Sequence, residues 1–355
     1  MIEYYPWSKK VLAECLKLHD EGYIPTLDLE LTAKCTKASC IYCDSKPSVG
    51  MRHPNELNYR ETERMIKEAK DKGLIWVYTC GLGEPLEDVR FKKLINLLHK
   101  LDIRISFFTN GILIDKENAK WLHDCGVCIN LKLDTFDENK FDQILGVKDA
   151  AKQIYKTLNN LIDAGYGKME GNYTDLAFSI VPTQISYDGI ENVILFAKEN
   201  NIFPSVGELE QAGRTLENHH YSQLALTIEQ IKALKKKVDQ LLWPNYKRPI
   251  CPTIITGLHI DDVGNCVVDR DTGLNCKWFL LREPLIKIIG NFREDDLSNL
   301  YTKVREYRRW CFNNNKDAIQ ECEETDYTVG GCGGNPKEII KIAKEHLQSL
   351  CHFLP

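Results

Sequence analysis

The chain has 355 residues, 43% of them hydrophobic, a formal net charge of −5 and fourteen cysteines. That composition supports a large core, and without a basic stretch, a signal peptide or an apolar run of roughly 18–20 residues it excludes nucleic-acid binding and a membrane span, so a cytoplasmic protein is expected. In a reducing compartment so many thiols point to metal and not to disulfides.

In chain order, residues 1–23 read as a helical lead-in. A β-like run then covers Ile24–Ala33, followed by helical spacing over Tyr59–Lys72. The alternation continues with β runs at Ile75–Cys80, Arg104–Thr109, Val127–Asp134, Leu176–Val181 and Ser205–Glu210. Helical patterns fall between and after them at Phe91–Leu101, Lys116–Asp124, Ala150–Ala164, Asn192–Glu199 and Thr227–Leu242. Six β/α repeats imply parallel strands with right-handed crossovers. The fold class expected is α/β: a partial (β/α)6 TIM-like barrel over residues 24–243, two units short of an eightfold barrel. Near Trp243-Pro244-Asn245 the character changes, and residues 244–355 carry seven of the cysteines, as a separate C-terminal module would.

Three cysteines follow the first β run directly. Cys35, Cys40 and Cys43 are spaced C-x4-C-x2-C. Three close thiolates suit three irons of a cubane cluster and leave a fourth iron open to a non-protein ligand. Zinc is the alternative, but a structural zinc site wants four ligands, and no fourth lies nearby.

This pattern resembles the radical S-adenosylmethionine (SAM) superfamily, whose motif is C-x3-C-x2-C after the first barrel strand, with an aromatic before the last cysteine. Tyr42 fills the aromatic place. The chain departs by one extra residue between Cys35 and Cys40. Further resemblances stand at successive strand ends. Gly81-Leu82-Gly83-Glu84-Pro85 is similar to the family's G-G-E-P element, where backbone meets the amino group of SAM. Thr109-Asn110-Gly111 looks like the family's T-N-G. Asp134 and Ser179 match polar residues that touch the ribose and carboxylate of SAM, with Lys132 as a neighbour. Glu210 and Arg214 match the sixth-strand segment. The resemblance therefore implies Tyr42, Gly81, Gly83, Glu84, Pro85, Asn110, Asp134, Ser179, Glu210 and Arg214 as SAM-binding residues. All fall at the strand ends where parallel β/α barrels build their sites.

Beyond the barrel, Cys251, Cys266, Cys276, Cys311, Cys322, Cys332 and Cys351 resemble a SPASM or twitch extension, which holds one or two auxiliary iron–sulfur clusters. Their spacing assigns no ligand to a particular cluster. Cys15, Cys80, Cys125 and Cys128 sit on predicted helices or strands and read as core.

The resemblance implies reductive cleavage of SAM by a [4Fe–4S] cluster and hydrogen abstraction by a 5′-deoxyadenosyl radical. The expected substrate is a peptide or protein side chain, undergoing oxidation, crosslinking or epimerisation. Alternatives are a small molecule such as an aminocyclitol or sugar, and a non-catalytic zinc or electron-transfer protein. The expected partners are a flavodoxin- or ferredoxin-type electron donor and a separate peptide-recognition protein, since the lead-in before the first strand is too short to hold a fused one. No catalytic acid, base or hydrogen donor stands out from the sequence.

Overall fold

A computed structural model describes residues 2–43, 53–79, 82–242, 250–270, 274, 286–324 and 336–347. After α1 (Lys9–Asp20), six strands run parallel and side by side: β1 (Thr26–Leu29), β2 (Trp76–Thr79), β3 (Arg104–Thr109), β4 (Cys128–Lys132), β5 (Leu176–Ile180) and β6 (Phe203–Val206). The connecting helices are α2 (Tyr59–Asp71), α3 (Phe91–Lys100), α4 (Lys116–Asp124), α5 (Glu138–Leu145), α6 (Ala150–Ala164) and α7 (Ile190–Glu199). The short α8 (His220–Leu224) and α9 (Ile228–Leu242) follow β6. The expected β/α alternation is present.

Local chemistry explains the helix starts. Asn58 caps α2 in a capping box with Glu61, and Asp115 caps α4. Helix α5 lies in the long link between the fourth strand and α6, where no element was predicted. Its signals are short-range: Asp137 accepts from the Lys140 amide at its start, and Gly146 ends it in the left-handed region. The sixth strand is Phe203–Val206 and not Ser205–Glu210, because pairing with β5 ends at Val206 and acidic residues follow.

Alternation in the strands separates two cores. Leu27, Leu29, Val77, Ile105, Phe107, Ile129, Leu131 and Phe178 pack under the helices. Trp76, Tyr78, Cys128, Ala177 and Phe203 face the other way, onto the N-terminal segment. That segment shows the sheet's curvature. Trp7 lies 6.2 Å from both Phe108 on β3 and Phe203 on β6, while the Tyr78 hydroxyl on β2 donates to Pro6 O at 2.7 Å. A flat sheet would separate β2 from β6 by about 19 Å, at roughly 4.8 Å per strand. Residues 4–7 therefore plug the floor of a concave face.

The chain after residue 250 adds strands to this same sheet. Past the short α10 (Thr253–Thr256), β7 (Gly257–Ile260) lies parallel to β1. β8 (Asn265–Asp269) and β9 (Ile286–Asn291) continue it antiparallel. Then come α11 (Leu297–Asn314), α12 (Lys316–Glu324) and α13 (Pro336–Leu347). Helix α11 packs on α2 and β9. The Arg293 guanidinium just before it grips Glu61 of α2, with Nε 2.7 Å from Oε1. No described helix is long and apolar enough to cross a membrane.

Candidate functional site

The cysteine loop leaves the C-terminal end of β1 and is held from three sides. From α5, Ser39 N donates to Leu145 O at 2.7 Å and Ile41 N to Ile144 O at 3.0 Å. Gly146 permits this approach, since a Cβ there would stand 2.5 Å from Ser39 O. From beyond β6, Arg214 donates its amide to Cys43 O and its Nη1 to Cys40 O, both at 2.9 Å. From the turn after β2, Glu87 accepts from Thr36 N at 2.6 Å, Thr36 Oγ1 at 2.7 Å and Lys37 N at 3.2 Å. Thr36 and Lys37 belong to the stretch that carries the extra residue of the C-x4-C spacing, so Glu87 is the group that shapes the longer loop.

The Gly-Glu-Pro turn closes directly on this loop. Glu84 N donates to Lys34 O at 2.8 Å, next to Cys35. Gly83 has φ +70°, and a Cβ there would meet Thr32 O at 2.3 Å and Lys34 O at 2.6 Å, so glycine is required. The buried Glu84 carboxylate accepts from Thr109 Oγ1 and Asn110 N, both at 2.8 Å. Burial pushes its carboxyl up to about 7, against the pull of those same donors. Asn110 in turn places its Nδ2 3.9 Å from Cys35 Sγ. Pro85 is buried in the same turn. Gly81 lies outside the described residues.

On the far side of the loop Tyr42 donates its hydroxyl to Asp134, and Lys132 Nζ stands 2.6 Å from the other Asp134 oxygen and 4.8 Å from the Tyr42 ring centroid. Val181 N also donates to Asp134, at 2.7 Å. Asp134 is fully buried and uses both oxygens within the chain, which makes it the anchor of Tyr42 and Lys132. Burial, and after it Asp134, pushes the Tyr42 phenol well above its ordinary value, so it stays a neutral donor. Ser179 is half-buried on β5, in register with Lys132. Glu210 is half-buried and offers its carbonyl to Thr215 Oγ1 at 2.8 Å.

Sequence reasoning missed two participants. Glu87 had a signal, since an enlarged loop needs an added anchor. Asn130 had one too: counting back by two from Asp134 and Lys132 puts it on the same concave face. Asn130 is fully buried, and its side-chain oxygen and nitrogen both lack a hydrogen-bond partner.

Of the C-terminal cysteines, Cys251 lies just before α10, Cys266 on β8 and Cys311 on α11, all buried. Cys311 Sγ is 3.5 Å from Arg270 O. Cys322 is on α12. Cys276, Cys332 and Cys351 lie outside the described residues.

The donor set at residues 35–43 is three thiols on one loop, which suits three corners of a cubane and falls short of a four-ligand zinc site. Among the described residues no three His, Cys, Asp or Glu side chains converge in a metal-holding geometry. Burial pushes the thiols of Cys35 and Cys40 up to about 12, with Glu84 the next cause at Cys35 and Cys43 at Cys40. Loading a metal must therefore release protons.

Comparison with known proteins agrees with this geometry. The radical SAM superfamily profile matches residues 29–176. A probable GTP 3′,8-cyclase of Methanococcus maripaludis is 26% identical over 244 residues, 68% of this chain and 76% of that protein. The mycofactocin maturase MftC of Mycobacterium ulcerans is 28% identical over 190 residues, 53% of this chain and 48% of that one. SuiB of Streptococcus suis, solved with its precursor peptide SuiA, superposes with a TM-score of 0.56 at 18% identity, covering 93% of this chain and 74% of SuiB. At that identity the superposition establishes the fold.

Proposed function

This chain is a radical SAM superfamily enzyme, and from that premise we propose that it removes hydrogen from a peptide or protein side chain, leading to oxidation, crosslinking or epimerisation. Superfamily members use a [4Fe–4S] cluster and SAM. When bound, these supply one-electron cleavage of the sulfonium bond and a 5′-deoxyadenosyl radical.

The cysteine loop carries this reading. It sits at the C-terminal end of β1, with the Gly83-Glu84-Pro85 turn hydrogen-bonded to its first residues. Cys35, Cys40 and Cys43 would hold the cluster. The backbone around Gly83 would meet the SAM amino group, with Asn110 beside it. Lys132, Asn130 and Ser179 line the concave face for the SAM ribose and carboxylate, while Asp134 orients Tyr42 and Lys132. Arg214 positions the loop, and Glu210 borders the same rim. Cys251, Cys266, Cys276, Cys311, Cys322, Cys332 and Cys351 form the candidate ligand pool for one or two auxiliary clusters, in a proposed unit over 244–355 that follows the lead-in of 1–23 and the barrel of 24–243. A flavodoxin or ferredoxin would deliver the electron.

Two observations favour a peptide substrate: the similarity to a protein named as a maturase, and the fold shared with a protein solved with its precursor peptide. The GTP 3′,8-cyclase relatives favour a second reading, a small-molecule substrate. Anaerobic reconstitution with dithionite and SAM tests the first step. Wild type should form 5′-deoxyadenosine and the Cys35→Ala/Cys40→Ala/Cys43→Ala variant none; an inactive, iron-free wild type would remove the assignment. Short candidate peptides and GTP, added separately, decide the substrate by which one gains or loses mass.

A further inference from the structure

A cleft of about 520 Å³ opens between the starts of α2 and α3, lined by His53, Glu56, Tyr59, Val89, Arg90 and Lys93 among others. Its inner wall is the chain that leads from β1 into the cysteine loop. Glu56 accepts from Thr32 Oγ1 at 2.9 Å and from Ala33 N at 3.2 Å, and Arg90 donates its Nη2 to Leu31 O. Ala33 is two residues from Cys35, at most about 7 Å of extended chain. Val89 is two residues from Glu87, which holds Thr36 and Lys37. The cleft therefore lies beside the cysteine loop, on the helix side and away from the concave face.

Charge is sorted across this cleft. Its carboxylates are turned inward and engaged. Asp88 is buried and accepts from Arg90 Nε at 2.9 and 3.0 Å, Glu87 is taken up by the loop, and Glu56 by the exit of β1. The cations face water. Lys93 is exposed, its Nζ 5.5 Å from the Tyr59 ring centroid, and Lys37, whose amide Glu87 holds, is exposed too. Among the described residues neither forms an ion pair. Helix α3 begins at the cleft without a capping side chain, so the positive end of its dipole adds to the field there. Val89, on the same cleft, keeps 78% of its surface in water. On a chain of net charge −5, this positive and partly apolar face is a local feature. It complements an acidic protein.

The chemistry calls for such a partner. Reductive cleavage draws one electron from outside the chain, and electron transfer falls steeply with distance, so the donor must dock close to Cys35, Cys40 and Cys43. A surface on the outer side of the loop allows this and leaves the concave face to SAM and substrate.

We propose that the cleft bounded by Lys93, Tyr59 and Val89, with Lys37 beside it, docks an acidic protein carrying a reduced flavin or iron–sulfur centre. One electron passes from that donor, which is left one-electron oxidised, to the iron held by the cysteine loop. This rests on the radical SAM reading and deepens it by placing the electron donor on a particular face.

The test uses the full-length reconstituted protein and measures 5′-deoxyadenosine with two reductants. One is a flavodoxin kept reduced by its NADPH-dependent reductase, replaced by a reduced ferredoxin if it gives no turnover. The other is dithionite, which needs no docking surface. Lys93→Glu and Val89→Glu should each raise the KM for the protein donor about tenfold, and raising the salt from about 0.05 to 0.3 M should do the same to wild type. Iron content and the dithionite-driven rate should stay within about twofold of wild type. Lys236→Glu, an equal charge change on the exposed side of α9, should leave the KM unchanged. An unchanged KM in both cleft variants, or an equal rise in Lys236→Glu, overturns the proposal. An equal loss with dithionite also overturns it, since the cleft then serves substrate or the fold and not the donor. If dithionite drives wild type but neither protein donor does, the docking surface fails and the radical reading stands. If dithionite yields no 5′-deoxyadenosine from wild type, the radical reading itself fails.

Discussion

Removing the Glu87 side chain should loosen the cysteine loop while leaving the barrel intact. Its carboxylate is 4% exposed and accepts three hydrogen bonds from Thr36 and Lys37, with Lys34 Nζ a further 3.8 Å away. Thr36 and Lys37 are exposed, so water replaces the carboxylate in Glu87→Ala, and each bond counts at the net value of about 0.5–1.5 kcal/mol. The half-screened Lys34 pair adds little. A loss of about 2 kcal/mol follows, which raises the population of the open loop roughly 30-fold. The assay is anaerobic loss of iron to excess EDTA from the reconstituted protein, followed by the cluster's visible absorbance. Glu87→Ala should lose iron some tens of times faster, Glu87→Gln less so because it keeps one acceptor, and Lys34→Ala should match wild type within about twofold. Equal rates for Glu87→Ala and wild type would refute the claim that this carboxylate shapes the longer loop.

Three further outcomes follow from the same contacts. Gly83→Ala puts a Cβ 2.3 Å from Thr32 O at φ +70°, so it should cost more than about 2 kcal/mol in denaturant unfolding and lower the iron retained per chain. Glu84→Ala leaves the buried Thr109 hydroxyl and Asn110 amide without their acceptor and should destabilise the apo protein by about 3 kcal/mol in the same measurement. Burial opposes the charge of His259, but Asp28 and Glu30 beside it outweigh that and raise it from 6.5 to about 10 in the fold, so its contribution is fully present below pH 6.5 and is lost as pH rises through about 10; the denaturant midpoint of wild type should therefore fall over that window more steeply than that of His259→Gln.

Much of the scaffold was legible because its signals are local. The β/α alternation of residues 24–242 is written in apolar periodicity, and the cysteine triad, the Gly-Glu-Pro turn and Asn110 are contiguous motifs at strand ends. Helix α5 escaped because eight residues barely show a period, and its evidence was a single Asp cap and a single terminal glycine. The sixth strand was placed too late because strand ends are set by the neighbour's register, which Ile180 supplies to Val206. The strands after residue 250 were read as part of a separate module, and the cysteines there drew attention from the short apolar run Leu258-His259-Ile260 that joins β1.

The sequence by itself determined the chemistry: three thiols on one loop, a close-approach glycine turn, and six parallel repeats to carry them. The tertiary structure decided what each side chain does. Asp134, expected at the cofactor, holds Tyr42 and Lys132, and Glu87 and Arg214 reach the loop across 50 and 174 residues of sequence. Likewise Asp28 and His259, 231 positions apart, meet because β7 pairs with β1. Local periodicity constrains backbone and facing, whereas a hydrogen bond between distant positions exists only once the fold has closed the loop between them, and nothing in either residue's neighbourhood encodes it.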